Sequence, residues 1–313
     1  MKAVQINTYG TNDVLEINEN APKPSLKQGQ VLVEVYAASI NPVDWKIRAG
    51  YMKDMMPLNF PATLGGDFAG AVTEVGEEVS EFKVGDEVFG SAIVLNGGSG
   101  SFAQFLAANV ANIAHKPKTV NFEQAAALPL VGASAVQALE EHIKLQSGQK
   151  ILIHGGAGGI GHVAIQLAKV LGAHVATTVS ANDIEFARSL GADQVIDYKR
   201  QNFEEILKNF DAVFDTVGGK ITDASFNVLK KNGVIVSMLG QPNEDLAKQH
   251  GITAIGQGTN TNSSHLRRVA ELVDSRKLKA EIDKIFPLEQ VKEAFNYQEK
   301  NSPRGKVVLK VKP

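Results

Sequence analysis

The chain has 313 residues, 43% of them hydrophobic and 21% charged, with a formal net charge of −2. Those values suit a two-domain globular protein and give no basic surface for nucleic acid or an anionic membrane. Cysteine is absent, which excludes disulfides, thiol nucleophiles and cysteine metal sites together.

The N-terminal residues 1–6 read as a short strand and not as a signal peptide, and no apolar run is long enough to cross a bilayer. The expectation is a cytoplasmic enzyme. Strands are predicted at 31–35, 70–75 and 84–89, with Gly and Pro between them, as in a barrel-like β domain. Residues 97–101 read as a loop. From Phe122 the pattern turns helical, and residues 125–139 are rich in Ala and Leu.

Residues 150–161, KILIHGGAGGIG, are the most informative stretch. A strand runs into a glycine cluster, and Ile160, Val163, Ala164, Leu167, Ala168 and Leu171 then recur at helical spacing. Gly156, Gly158 and Gly161 fill the three glycine positions of a dinucleotide-binding fingerprint. The first allows the tight turn, the second lets the backbone approach a pyrophosphate, and the third lets the helix pack on the strand. Ala157, Gly159 and Ile160 complete the loop, whose amides at the helix start suit phosphate.

Strands at 173–179, 194–196, 212–214, 234–236 and 252–255 alternate with helices at 184–190, 203–209 and 222–229, which implies a parallel sheet with right-handed crossovers. A helix at 266–275 and a strand at 307–309 leave that alternation and are expected to return to the first domain. The predicted division is 1–122, 123–258 and 259–313.

Four stretches, residues 38–46 (ASINPVDWK), 64–70 (LGGDFAG), 128–135 (LPLVGASA) and the glycine cluster, resemble the medium-chain dehydrogenase/reductase superfamily. The endings FPLE at 286–289 and RGKVVL at 304–309 are similar too. The resemblance spans essentially the whole chain and points to the zinc-independent, quinone-oxidoreductase-like branch with its enone and alkenal reductases. It implies an α/β architecture: a GroES-like β-barrel catalytic domain plus a Rossmann doubly wound parallel sheet. Where zinc-dependent members carry Cys and His ligands, this chain has Asn41 and Gly66, and Asp67 alone cannot hold zinc. His154, His162 and His174 read as packing or surface residues, so no metal site is expected.

NAD-specific sheets place an acidic residue at the end of the second strand, roughly 20 residues after the glycines. Here that strand ends in Ser180, which favours NADP(H), although Ser180 could instead cap the next helix. Asp183 is the counter-evidence, since it could grip an NAD ribose. Tyr198 matches a family residue beside the ribose phosphate, and Lys199 and Arg200 lie close by. Ser134 matches a family hydroxyl near the nicotinamide; the alternative is an N-cap or a small packing residue. Lys306 and Arg304 match the family's basic ending, and Lys306 is the expected cofactor contact.

No paired carboxylates or nucleophile elbow stand out, which leaves hydride transfer, with the protein orienting and polarising. Charge then develops on a carbonyl oxygen, and hydrogen-bond donors aimed at it lower the barrier. Asn41 and Lys46 are the candidate donors, set against a turn residue and a surface lysine. Asp44 is expected to brace the loop, and Tyr51 is a weaker substrate-side candidate. The expected activity is NADPH-dependent reduction of a small-molecule quinone or enone. The alternatives are an enoyl-thioester or zinc-free alcohol/aldehyde reductase, and a non-enzymatic NADPH-binding protein. The strand at 252–255 reads as a sheet edge, from which a homodimer is expected.

Overall fold

The computed structural model describes residues Met1–Lys312, and their contacts divide the chain into two units. One holds Met1–Leu130, Thr261–Ser275 and the residues from Ala280 onward; the other holds Val131–Asn260 and Arg276–Lys279.

The first unit begins with β1 (Ala3–Ile6), β2 (Glu16–Asn18), β3 (Gln30–Ile40), α1 (Pro42–Arg48) and β4 (Ala62–Thr63). It continues with β5 (Asp67–Val75), β6 (Glu87–Ser91), β7 (Phe105–Asn109), β8 (Ile113–His115) and α2 (Phe122–Ala126). β3 is its spine. Val31, Val33 and Val35 alternate into a core with Phe68, Val72, Val88, Leu106 and Ile113. β6 starts later than the sequence pattern suggests, because Gly85 turns the chain at φ +92°. The first boundary falls at Leu130 and not near 122, because α2 packs on β3 and β5.

The second unit opens with α3 (Pro129–Val136), which starts at the boundary. The helix expected over 125–139 is interrupted there because a residue before proline avoids helical backbone; Leu128 precedes Pro129. Then follow β9 (Lys150–His154), α4 (Gly161–Val170), β10 (His174–Val179), α5 (Ile184–Ser189), β11 (Gln194–Asp197), α6 (Phe203–Ile206) and β12 (Phe210–Asp215). The unit ends with α7 (Lys220–Ser225), β13 (Leu229–Ser237), α8 (Glu244–His250) and β14 (Thr253–Gly256). All six strands are parallel, in the order β11-β10-β9-β12-β13-β14. Ile151, Leu152, Ile153, Val213 and Phe214 are fully buried, as central strands covered on both faces require. α6 is a single turn where the sequence predicts a longer helix, and α8 lies in a stretch for which the sequence predicts no element.

The chain then returns to the first unit through α9 (Ser263–Asp274), β15 (Ile282–Pro287), α10 (Val291–Asn301) and β16 (Lys306–Lys310). β16 pairs antiparallel with β3, so the larger sheet runs β15-β16-β3-β5-β6-β8, with β7 also on β3. Ala38, Ile40, Ile47, Phe286, Phe295, Val307 and Leu309 form a second core around that junction. No helix among the described residues is long and apolar enough to cross a membrane.

Candidate functional site

In the second unit the glycine loop joins β9 to α4. The left-handed turn residue is Gly155, at φ +73°, one position before the expected one. Gly156 instead donates its N–H to the Thr178 carbonyl at 3.2 Å, and a Cβ on it would lie 2.1 Å from Thr177 Oγ1. At Gly161 a Cβ would lie 2.1 Å from the Gly155 carbonyl oxygen, so this glycine lets the helix start against the turn. At Gly158 a Cβ would meet only the Gly155 carbonyl oxygen, at 3.4 Å. The three glycines therefore differ in kind: two make room for protein and one for something else. Ala157, Gly159 and Ile160 lie in the same loop, half-buried, ahead of the helix.

The loop lies at the carboxyl edge of a parallel sheet, where open α/β folds bind ligands. Thr178 on β10 stands opposite His154 on β9, and Val179 opposite Asp197 on β11. Ser180 and Tyr198, the next residues along, therefore end adjacent strands, and the Tyr198 N–H donates to the Val179 carbonyl at 3.2 Å. Tyr198 is 54% exposed, with the Lys199 ammonium 5.9 Å from its ring. Ser180 occupies the N-cap of a short 3-10 turn, and its hydroxyl donates to the Asp183 carboxylate at 2.5 Å. The expected phosphate contact thus comes paired with the carboxylate that argued against it.

Ser134 is fully buried inside α3, so it is no N-cap. Its hydroxyl pairs with Thr259 Oγ1 at 2.7 Å, and its carbonyl accepts from Gln257 Nε2 at 3.0 Å. Gln257 follows β14 at the same edge and is 5% exposed; its Oε1 is buried without a partner. Nothing in the sequence singles it out. An orphaned acceptor, an uncluttered Gly158 and a helix start on one sheet edge fit a dinucleotide.

His154 is buried between Thr178 Oγ1 and Ser225 Oγ, each at 3.0 Å, and burial lowers its pKa to about 4 despite Asp215. His162 Nδ1 lies 3.0 Å from the Gly158 carbonyl, and His174 is an exposed partner of Asp193 at 3.6 Å. All three have structural work. Among the described residues no group of His, Cys, Asp and Glu is placed to hold a metal ion.

The first unit gathers its polar residues where β3, β5 and β16 meet α1. Asn41 follows β3, and its backbone N–H donates to Asp44 at 2.7 Å, which ties the start of α1. Its side-chain Nδ2 donates to Asp67 Oδ2 at 2.9 Å, and its Oδ1 accepts from the Lys306 ammonium. Lys306 also donates to the Ile40 carbonyl at 3.0 Å and lies 3.7 Å from Asp67 Oδ2. Asp67 further accepts from the Leu130 N–H at 3.1 Å and from Ser39 Oγ at 3.3 Å. Asn41, Asp44, Asp67 and Lys306 are each 3% exposed or less.

Burial dominates the electrostatics here. It drives Asp44 up to about 7, helped by Asp67 and opposed by the Asn41 N–H and Lys306; Oδ1 of Asp44 has no partner. It pushes Asp67 up against the pull of Lys306 and the hydrogen bonds, and pushes Lys306 down against both carboxylates. Lys306, expected at the cofactor, is an interior cation that donates to the Ile40 carbonyl and the Asn41 amide oxygen and lies 3.7 Å from Asp67. Lys46, the other expected catalytic donor, is not in this cluster. It is half-buried on α1, its ammonium 5.7 Å from the Trp45 ring, and Trp45 meets Tyr51 edge-on at 5.6 Å. Tyr51 itself is 72% exposed.

Residues 27–118 match the alcohol dehydrogenase GroES-like domain family, and residues 190–309 match the family described as zinc-binding dehydrogenase. The 2-methylene-furan-3-one reductase of Solanum lycopersicum is 39% identical, over 99% of this chain and 79% of its own. The chloroplastic NADPH-dependent alkenal/one oxidoreductase of Arabidopsis thaliana has the same identity and coverage, 39%, 99% and 79%. The solved quinone oxidoreductase from Coxiella burnetii superposes with a TM-score of 0.91 at 37% identity, covering 100% of this chain and 99% of that one. The zinc in the second family description does not fit these residues. Asn41 and Gly66 offer no metal ligands of the usual kind, and the Lys306 ammonium already sits against Asp67.

Proposed function

The chain belongs to the quinone-oxidoreductase-like branch of the medium-chain dehydrogenase/reductase superfamily, and from that membership we propose an NADPH-dependent reductase of quinones or α,β-unsaturated carbonyls that uses no metal ion. The observation that carries it is the glycine loop, in which Gly156 and Gly161 are demanded by the fold while Gly158 leaves space. NADPH would be held by the amides from Gly159 to Gly161, with Ser180 and Tyr198 at the adenosine ribose; the Gly158 N–H is committed to the Gly155 carbonyl at 3.0 Å. When bound, the nicotinamide supplies a hydride for the substrate's electrophilic carbon.

This chain's residues bind and polarise. Asn41 Nδ2 has one N–H committed to Asp67, which leaves its second N–H as a donor for a substrate oxygen. Lys46 is a second candidate donor to the substrate, although its ammonium stands by the Trp45 ring and outside the Asn41 cluster. The dinucleotide name of the plant alkenal/one relative and the missing acidic residue after β10 both support NADPH over NADH. A homodimer through the β14 edge and a cytoplasmic location belong to the same reading. The test is steady-state NADPH oxidation against a panel of quinones, alkenals and enoyl thioesters. Turnover with quinones or alkenals is expected; binding of NADPH without turnover on any acceptor would reject the reading.

A further inference from the structure

Lys306, Asn41 and Asp67 stand at the ends of three paired strands. Val307 is in register with Ile40, and Ser39 with Asp67, so the three polar side chains converge although they are far apart in sequence. A buried ammonium and two buried carboxylates are expensive unless each meets partners. Lys306 meets three: the Ile40 carbonyl, the Asn41 amide oxygen and, at 3.7 Å, Asp67.

The consequence lies in the Asn41 amide. It is held by a donor at its oxygen and an acceptor at its nitrogen. Turned over, it would set N–H against the ammonium and oxygen against the carboxylate, and both contacts would repel. Only one orientation survives, and it fixes where the second Nδ2 hydrogen lies. A packed apolar neighbour could hold the side chain in place but could not choose between its two faces. Next in the chain is Pro42, the first residue of α1, so the same clamp also sets how that helix begins.

We propose that the Lys306 ammonium is the fixed cation of this site, in place of the metal implied by one family description, and that by clamping the Asn41 amide against Asp67 it is a positioning residue for the reduction. Gly66 agrees with this. A Cβ there would meet nothing nearer than Ile93 Cβ at 3.4 Å, so the fold has room for a side chain but supplies no ligand. The positioning role rests on the reductase reading above; the cation role does not.

Three measurements separate the parts. Dialysis of the wild-type protein against a strong chelator is expected to leave its melting temperature unchanged; a drop would overturn the fixed-cation claim. Lys306→Met keeps length, removes the charge and strands Asp67, so it should melt well below wild type. The Lys306→Met/Asp67→Asn double variant is neutral again and should melt within a few degrees of wild type. A double variant as unstable as the single one would show that the ammonium is not Asp67's counter-charge.

Turnover then decides the positioning role. In the restored double variant kcat should stay at least tenfold below wild type, with the NADPH dissociation constant within threefold, because nothing orients the Asn41 amide. A double variant that regains wild-type kcat along with its stability would show a purely structural lysine. If the wild type itself reduces no acceptor, the reductase reading falls, while the melting series still decides the cation.

Discussion

Replacing Asp44 with Asn should make the protein more stable, and increasingly so as pH rises. Asp44 is 1% exposed, and burial holds its carboxyl at about 7 in the folded chain. An unfolded aspartate titrates near 3.9, so the folded value is raised. The stabilisation linked to its proton is complete below about pH 4 and is lost as pH climbs through the folded value near 7. With those two values, ionising Asp44 costs about 3 kcal/mol of folding free energy between pH 5 and pH 8. Asn cannot ionise, and its amide oxygen can still accept the Asn41 N–H. His154 slopes the other way: lowered to about 4, its contribution is present above about 6.5 and lost on acidification. The quantity to measure is therefore the difference in melting temperature between variant and wild type at each pH, in which His154 cancels. At about 2–4 °C per kcal/mol, that difference should widen by roughly 6–12 °C from pH 5 to pH 8. A constant difference, or one that shrinks with pH, would show that Asp44 is ionised throughout and the reasoning about its burial is wrong.

The glycine loop gives a paired test: Gly158→Ala should fold normally yet bind NADPH at least tenfold more weakly by titration, whereas Gly161→Ala, with a Cβ 2.1 Å from a backbone oxygen, should cost about 1–3 kcal/mol or more of stability. Asp183→Asn should widen the preference for NADPH over NADH by removing the carboxylate beside Ser180, and Ser180→Asp should narrow or reverse it; identical dissociation-constant ratios in all three proteins would refute the ribose assignment. Lys46→Met should lower enone turnover by up to about a hundredfold with NADPH affinity within threefold, and unchanged turnover would leave Asn41 as the only donor. Light scattering at micromolar concentration tests the dimer. Gln241 already pairs its side-chain amide with the outward-facing Ala254 carbonyl and Gly256 N–H, at 3.1 and 2.9 Å, so Gln241→Ala should strengthen association if β14 is the contact.

What could be read in the sequence was local. The glycine spacing, the strand before it and the helix after it lie within one short stretch, and the strands that follow are apolar runs bounded by turn residues. The edge position of β14 was legible for the same reason. Its blunting by Gln241 was not, because a glutamine in a loop carries no mark of the backbone it will meet. α8 and α10 were missed because their exposed faces are charged and their apolar positions sparse. Only Val291, Ala294 and Phe295 of α10 are buried. Asn41 stands out by its motif, but its hold on Asp67 and Lys306 does not, because both partners are distant in the chain.

The surroundings of Lys306 were the least legible, because its partners lie far off in the chain. Lys306 sits 265 positions from Asn41, and only the return of β16 onto β3 brings them together. A lysine between a glycine and a run of valines looks like an exposed strand start, and the expectation that it would reach a cofactor came from the resemblance of the RGK ending. The topology buries it instead. Lys306 opens β16 between β15 and β3, and its side chain is buried there, whereas Lys310 at the other end of the same strand is exposed. Once buried, the ammonium requires acceptors, and the acceptors at that end of β3 and β5 are the Ile40 carbonyl, Asn41 and Asp67. The same strand pairing that closes the first unit therefore installs a positive charge behind the amide proposed to polarise the substrate. Fold and site are coupled there by a single side chain, which is why removing its charge should be repairable for stability by neutralising Asp67 but not for turnover.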